Sequence, residues 1–302
     1  VSPACEISQL AREITAALVG DGPTLGFGEI SSEYAPSYAA VAIGTSGTTG
    51  TSKEVLLAST ALISSAKASN KFLGAQSGDT WSLLLPLTHI AAVNVIIRSM
   101  ELGTTPIDLR DCGGEYPKAN YTAIVPTQLF RALNGDQRLL NHLKSAKAVL
   151  VGGAALSQSL RNQAELAGIK VITTYGMTET CGGCVYNGTA LDGVEIEIRS
   201  GKICIKGPVL ASSVAVNDGW FETNDLGEYD NDRLVVIGRS DDIIVSGDSS
   251  ILFDFFHSHS HFLLNYMLLM SLRVCESLPI FKLHELRFFA LSASTIHQII
   301  TS

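Results

Sequence analysis

Short apolar runs that break off at glycine, proline or small polar residues punctuate the chain at Ala40 to Ile43, Trp81 to Leu85, Tyr121 to Val125, Ala148 to Val151 and Val171 to Thr174. Each has strand length and is followed by a helix-like stretch, an alternation that predicts an α/β body over residues 41–192. From Gly193 the period changes to two. Val194, Ile196 and Ile198 alternate with polar residues, Ile203 and Ile205 follow across a Ser200-Gly201 turn, and a second pair flanks Asn231-Asp232. Period two puts apolar side chains on one face of a strand, and such turns join antiparallel neighbours. Residues 193–241 are therefore expected to form a small antiparallel β section. The predicted class is α/β, a large mixed-sheet domain with this β section, behind a short N-terminal segment of residues 1–40.

After Gly247 the composition breaks: the remainder holds none of the 27 glycines but seven of the 11 phenylalanines and five of the seven histidines. Residues 242–302 are expected to be an anomalous tail. Its most apolar stretch, Phe262 to Leu272, is interrupted by Asn265 and is shorter than the roughly 20 residues of a membrane helix, so no membrane span is predicted. Alternate imidazoles in His257-Ser-His259-Ser-His261 would share one face of a strand and suit a transition metal. The plainer reading, a compositionally biased run, is preferred.

At 302 residues and 46% hydrophobic the chain can fill a sizeable core. A formal net charge of -8 without a run of Lys or Arg argues against a nucleic-acid surface and points to small-molecule partners. Six scattered cysteines and no charged-then-apolar leader predict a reduced, cytoplasmic protein. Cys181-Gly-Gly-Cys184 has metal spacing but no second pair at ligand distance, and its glycines suggest a turn.

Three clusters carry candidate chemistry. Thr45-Ser46-Gly47-Thr48-Thr49-Gly50-Thr51-Ser52-Lys53 follows an apolar run: glycines let backbone N–H groups turn toward an anion, hydroxyls add neutral donors and Lys53 adds charge, a combination suited to a polyphosphate. It is not a Walker A loop, whose spacing differs, and a Ser/Thr/Gly linker is its plain alternative. Thr173 to Thr180 sets Glu179 among hydroxyls beside Tyr175 at the end of a predicted strand, where open α/β sheets bind ligands. Glu179 offers hard oxygen to Mg2+. An ordinary helix start capped by Thr178 is the alternative. Thr223-Asn-Asp225-Leu-Gly227 and Gly238-Arg239-Ser-Asp241-Asp242 supply an aspartate able to accept from ribose hydroxyls and a nearby arginine, though isolated turns have the same composition.

In this order and spacing the three clusters resemble the adenylate-forming superfamily of acyl-CoA synthetases, luciferases and peptide-synthetase adenylation domains, over roughly Val41 to Gly247. Within it, Leu85-Pro-Leu-Thr-His89-Ile-Ala91 followed by Arg98, Val125-Pro-Thr127-Gln-Leu-Phe-Arg131, and Thr174 to Tyr186 continued by Leu191-Asp-Gly-Val194 resemble the o-succinylbenzoate:CoA ligases. The resemblance implies the superfamily's large N-terminal domain, ATP and Mg2+ as cofactors and coenzyme A as co-substrate. It implies a catalytic set of Lys53, Thr178 and Glu179, with Thr45, Ser46, Gly47, Thr48, Thr49 and Gly50 around the phosphates and Glu179 on the metal. Gly152, Gly153, Ala154 and Tyr175 would border adenine, Asp225 and Arg239 would hold ribose, His89, Arg98 and Thr127 would line the acyl site, and Asp241 would be the hinge.

Two departures are expected to matter. Ser52-Lys53-Glu54 stands where the family has Pro-Lys-Gly, so Glu54 puts negative charge beside the phosphate site. The family's C-terminal domain, with its lysine, is not recognisable: Lys282, between Phe281 and Leu283, lacks that context. A frameshifted or eroded gene is the expectation, and a shortened N-terminal subdomain another. The expected activity is ligation of o-succinylbenzoate to coenzyme A in menaquinone synthesis. A nucleotide-binding but impaired remnant and another acyl-CoA synthetase of the same fold are the alternatives, and a homo-oligomer is left open.

Overall fold

The computed structural model describes residues 1–2, 4–46, 52–246 and 249–252, with backbone alone at residues 46, 52 and 242–252. Gly47, Thr48, Thr49 and Gly50 of the phosphate cluster, and the histidines and Lys282 of the tail, lie outside the described residues. The chain divides into two units, residues 1–241 and 242–302.

The first unit begins with helix α1 (Ile7–Val19), capped by Glu6, whose carboxylate accepts from the Ser8 and Gln9 amides. Ile7, Leu10, Ala11 and Ile14 recur at helical spacing and are buried. Strands β1 (Leu25–Phe27), β2 (Ala39–Ser46) and β3 (Ser52–Ala58) make a three-stranded sheet, β1 parallel and β3 antiparallel to β2.

Next come α2 (Ser59–Leu73), β4 (Trp81–Leu83), α3 (Ile90–Glu101), β5 (Ile107–Asp108) and β6 (Tyr121–Ile124). They are followed by α4 (Pro126–Leu133), α5 (Gln137–Ser145), β7 (Ala148–Val151), α6 (Gln158–Leu166), β8 (Val171–Met177), β9 (Gly182–Tyr186) and β10 (Thr189–Ala190). The strands form one seven-stranded sheet in the order β10-β9-β8-β7-β6-β4-β5. β5, β4, β6, β7 and β8 are parallel, while β9 and β10 close the edge antiparallel.

Helices cover both faces of this sheet, which is why its central strands are continuously apolar rather than alternating. On β7, Ala148 and Leu150 join one apolar cluster, with α1, α2 and α3, whereas Val149 and Val151 join the other, with α4, α5 and α6. Inside the second cluster Ser82 is buried beside His142, Oγ to Nε2 at 2.8 Å, and His142 Nδ1 donates to the Pro117 carbonyl at 2.9 Å.

The period-two segments form the predicted antiparallel sheet, β11 (Glu195–Arg199), β12 (Lys202–Lys206), β13 (Phe221–Asp230) and β14 (Arg233–Arg239), in that order. Ser200 and Gly201 carry positive φ of 50° and 82° at one turn, and Asn231 and Asp232 carry 47° and 60° at the other. In the second unit, β15 (Ile243–Ser246) pairs antiparallel with β16 (Ser249–Leu252). Among the described residues no helix is long and apolar enough to cross a membrane.

Candidate functional site

A cavity of about 640 Å³ opens at the carboxyl ends of β4, β6, β7 and β8, the place where parallel α/β sheets leave space between diverging loops. Its floor is α3. Asn94 and Arg98, one helical turn apart, contribute from that helix, and His89 contributes from the N-cap position. Gly152 and Gly153 follow β7, and Thr178 and Glu179 follow β8. Gly152 is a close approach: a Cβ there would stand 2.1 Å from the Thr174 hydroxyl.

Arg98 is 3% exposed and is therefore not a solvated surface cation. Its guanidinium carbon lies 5.3 Å from the centre of the Trp81 ring, its Nε has no hydrogen-bond partner, and no carboxylate pairs with it among the described residues. A buried cation without a counter-ion is costly unless a ligand supplies the anion. His89 is exposed rather than packed in the core. Thr127 is exposed at the second position of α4 and does not line this cavity; Gln128 does, with its amide tied to Leu84 O and Val125 N at 3.0 Å each.

Thr178 and Glu179 sit in a single 3-10 turn, Thr178–Thr180, not at the start of an ordinary helix. Met177 occupies the cap position and its N–H donates to Thr180 Oγ1 at 2.9 Å. The turn ends at Cys181, with positive φ of 49°, and Gly182 begins β9, so Cys181-Gly-Gly-Cys184 is a turn running into a strand. Both thiols are buried, and burial pushes each up to about 12, so they rest as neutral thiols.

The first and second clusters meet. Lys53, at the start of β3, places Nζ 3.7 Å from Glu179 Oε1, and Thr45 on β2 donates its hydroxyl to Lys53 O at 2.9 Å. Successive side chains of a strand point to opposite faces, so Glu54 turns away from Lys53. Its Oε1 accepts from Ser31 N, Ser31 Oγ and Ser32 N at 2.7, 2.9 and 3.0 Å. The Ser32 hydroxyl foremost, and with it those three donors, hold its carboxyl down at about 2.

The third cluster meets β8. Asp225 and Arg239 are cross-strand partners on β13 and β14, with Asp225 Oδ1 3.7 Å from Arg239 Nη1. Tyr175 on β8 donates its hydroxyl to Asp225 Oδ2 at 2.9 Å, and burial, aided by the Asp225 charge, raises the phenol. Arg239 Nη2 also pairs with Asp241 at 2.9 Å, which keeps that carboxyl low. Ala154 is exposed in the loop after β7, next to Gly153. Tyr175, Thr178 and Glu179 are therefore presented by one strand and its following turn. Sequence reasoning missed Asn94 and Gln128. Asn94 could have been found as the polar residue one turn before Arg98 in an otherwise apolar helix.

Residues 28–214 match the family of AMP-binding enzymes. The chain is 38% identical over 237 residues to a probable 2-succinylbenzoate–CoA ligase of Mycobacterium tuberculosis, covering 70% of this chain and 61% of that protein. It is 32% identical over 251 residues to the 2-succinylbenzoate–CoA ligase of Lactococcus lactis, covering 74% and 54%. Among solved structures it matches o-succinylbenzoate coenzyme A synthetase from Bacillus subtilis in complex with AMP, at a TM-score of 0.65 and 27% identity over 74% of this chain and 54% of that one. It also matches that enzyme in complex with its acyl-adenylate intermediate, at a TM-score of 0.62 and 27% identity over 71% and 52%. The chain spans between half and two thirds of the length of these relatives.

Proposed function

Since this chain belongs to the family of AMP-binding enzymes, we propose that it activates a carboxylic acid with ATP and passes the acyl group to coenzyme A. The acid proposed is o-succinylbenzoate, as in cytoplasmic menaquinone synthesis. The observation that carries the reading is Arg98, a buried cation with no carboxylate partner among the described residues, in the cavity that Thr178 and Glu179 also border. An acid with one carboxylate to activate and a second to neutralise Arg98 fits that arrangement, because a guanidinium recognises a carboxylate by paired hydrogen bonds. The names carried by the relatives support the same acid.

A carboxylate is a poor acyl donor because its oxygen leaves badly. In the proposed first step a carboxylate oxygen attacks the α-phosphorus of ATP, diphosphate departs with the bonding electrons, and the mixed anhydride with AMP remains. The thiolate of coenzyme A then adds to the acyl carbon and AMP leaves, forming the thioester. Such steps depend on positioning and on stabilising developing negative charge. Lys53 and the Thr45 to Gly50 segment would hold the outer phosphates and Thr178 the α-phosphate. Tyr175 with Gly152, Gly153 and Ala154 would border the base, and Asp225 and Arg239 would take the ribose. His89 and Arg98 would shape the acyl end, and Asp241 would serve as hinge.

No group of three or more His, Cys, Asp or Glu stands together among the described residues. That donor set fits Mg2+ carried in by phosphates and touched by one carboxylate, Glu179, which is how this ion is usually held; bound there, it would offset phosphate charge.

The test is to incubate the purified chain with ATP, Mg2+ and o-succinylbenzoate, with and without coenzyme A, and measure diphosphate, AMP and thioester. Thioester that depends on coenzyme A supports the ligase. Nucleotide binding without turnover would instead favour the impaired remnant, and turnover only with other acids a different acyl-CoA synthetase.

A further inference from the structure

Asn94 is fully buried on α3, yet its Oδ1 has no hydrogen-bond partner among the described residues. The amide cannot simply be turned round. Its Nδ2 donates to the Cys181 carbonyl at 2.6 Å, and a carbonyl oxygen can only accept. Asn94 lines the same cavity as Arg98, four residues further along, so both side chains rise from one face of the helix. Buried polar atoms are nearly always paired, and one that is not asks for a donor delivered from elsewhere.

α3 serves as a ruler for what passes over it. At about 1.5 Å of rise per residue, Asn94 lies about 6 Å from Arg98 and about 7.5 Å from His89 along the axis. With one carboxylate of the substrate at Arg98 and the reacting carboxylate toward Thr178, Asn94 stands beside the middle of the acyl group. An ionised dicarboxylate with a ketone between its ends offers acceptors only. Two acceptors are joined by a water that donates one hydrogen to each.

We propose that Asn94 sets acyl specificity: through one bridging water its Oδ1 selects acids that carry an oxygen acceptor midway between two carboxylates. This rests on the ligase reading above.

The experiment uses two sulfamoyl analogues of the acyl-adenylate, one bearing the o-succinylbenzoyl group and one with its ketone replaced by CH2. Each is titrated calorimetrically into the full chain and into Asn94→Leu. Leucine keeps the branching and heavy-atom count of asparagine, and the Cys181 carbonyl keeps the Ser65 hydroxyl at 3.1 Å; Asn94→Ala reads the same ratio should the leucine variant not fold. The expected result is a preference of the unaltered chain for the keto analogue of about tenfold. Asn94→Leu loses that preference while binding the methylene analogue within about twofold of the unaltered chain. An equal loss for both analogues, or a preference that survives the substitution, overturns the inference. Failure of the unaltered chain to bind either analogue overturns the ligase reading first, and the inference with it.

Discussion

Lys53 and Glu179 hold each other: the ammonium of the phosphate cluster stands 3.7 Å from the carboxylate proposed for the metal. Lys53 is largely exposed and its pairing is long, so the pair contributes little to stability, in the range of about 0–1 kcal/mol. Nucleotide and Mg2+ would draw the two apart, each to the opposite charge it meets in the ligand. Lys53→Met is expected to shift the melting temperature by no more than about 4 °C. Glu179→Gln is expected to slow diphosphate release by about a hundredfold at an unchanged melting temperature. A collapse in stability of either variant would mark the pair as structural.

The bond from Tyr175 to Asp225 joins β8 to the antiparallel sheet, and it predicts a ribose-dependent phenotype. Tyr175→Phe keeps the ring for stacking but strands Asp225 Oδ2, at a cost of about 1–3 kcal/mol to stability. Affinity for ATP should fall, because a carboxylate no longer oriented accepts poorly from the sugar. Affinity for 2′,3′-dideoxy-ATP, which offers no hydroxyls, should be the same in both proteins. An equal fall for both nucleotides would refute the ribose assignment.

How much of this was legible beforehand depends on which force decided each element. β7 matches the apolar run Ala148 to Val151, and β11 to β14 follow the period-two segments, because burial of a face writes itself into the sequence. Glycines at 182 and 183 lower strand propensity and suggest a turn within Cys181 to Cys184; pairing with β8 overrides this from Gly182 on. The two-residue strands β5 and β10 are too short for any period to register. The clusters around Lys53, Glu179, Asp225 and Arg239 could be named from composition and order, but the Lys53–Glu179 and Tyr175–Asp225 pairings are products of tertiary folding. Asn94 was missed because one amide in an apolar helix reads as tolerated polarity until its unpaired oxygen is seen.

His142 predicts a loss of stability on mild acidification. Its Nδ1 donates to Pro117 O, so Nε2 holds the lone pair that accepts the Ser82 hydroxyl, and burial lowers the imidazole below its ordinary 6.5. A depressed folded value means that the unfolded chain takes up the proton first. The stabilisation is therefore complete above 6.5 and is lost as pH falls through 6.5 toward the lower folded value. Urea midpoints measured from about pH 7.5 to pH 5 should fall more steeply for the unaltered chain than for His142→Phe. Parallel curves would rule this out.

Glu54 gives a second, more acidic window. Its carboxyl is held at about 2 against an ordinary 4.5, so its contribution is present above 4.5 and is lost as pH falls toward 2. Glu54→Gln should therefore be less stable than the unaltered chain above 4.5, and the deficit should shrink as pH falls toward 2, so that the two urea-midpoint curves converge at the acid end. Because the side chain is committed to Ser31 and Ser32 rather than to Lys53, ATP affinity should stay within about twofold. A large gain in ATP affinity would mean that its charge does reach the phosphates.

Arg98 sets stability against recognition. Its guanidinium lies over Trp81, with Arg98 Nε and Trp81 Nε1 both lacking partners among the described residues. Even a buried ion pair can often be replaced by apolar residues of similar volume at no cost or with a gain of about 1–4 kcal/mol, and a buried charge without a counter-ion has less to lose. Arg98→Met should therefore melt at the same or a higher temperature. It should also raise the KM for a dicarboxylic acid by about a hundredfold, with the KM for ATP unchanged. Arg98→Lys, which keeps the charge but loses the planar fork, should fall between the two. A variant that melts lower while its KM for the acid stays put would assign Arg98 to packing against Trp81, and the cavity would then have no cation to select a second carboxylate.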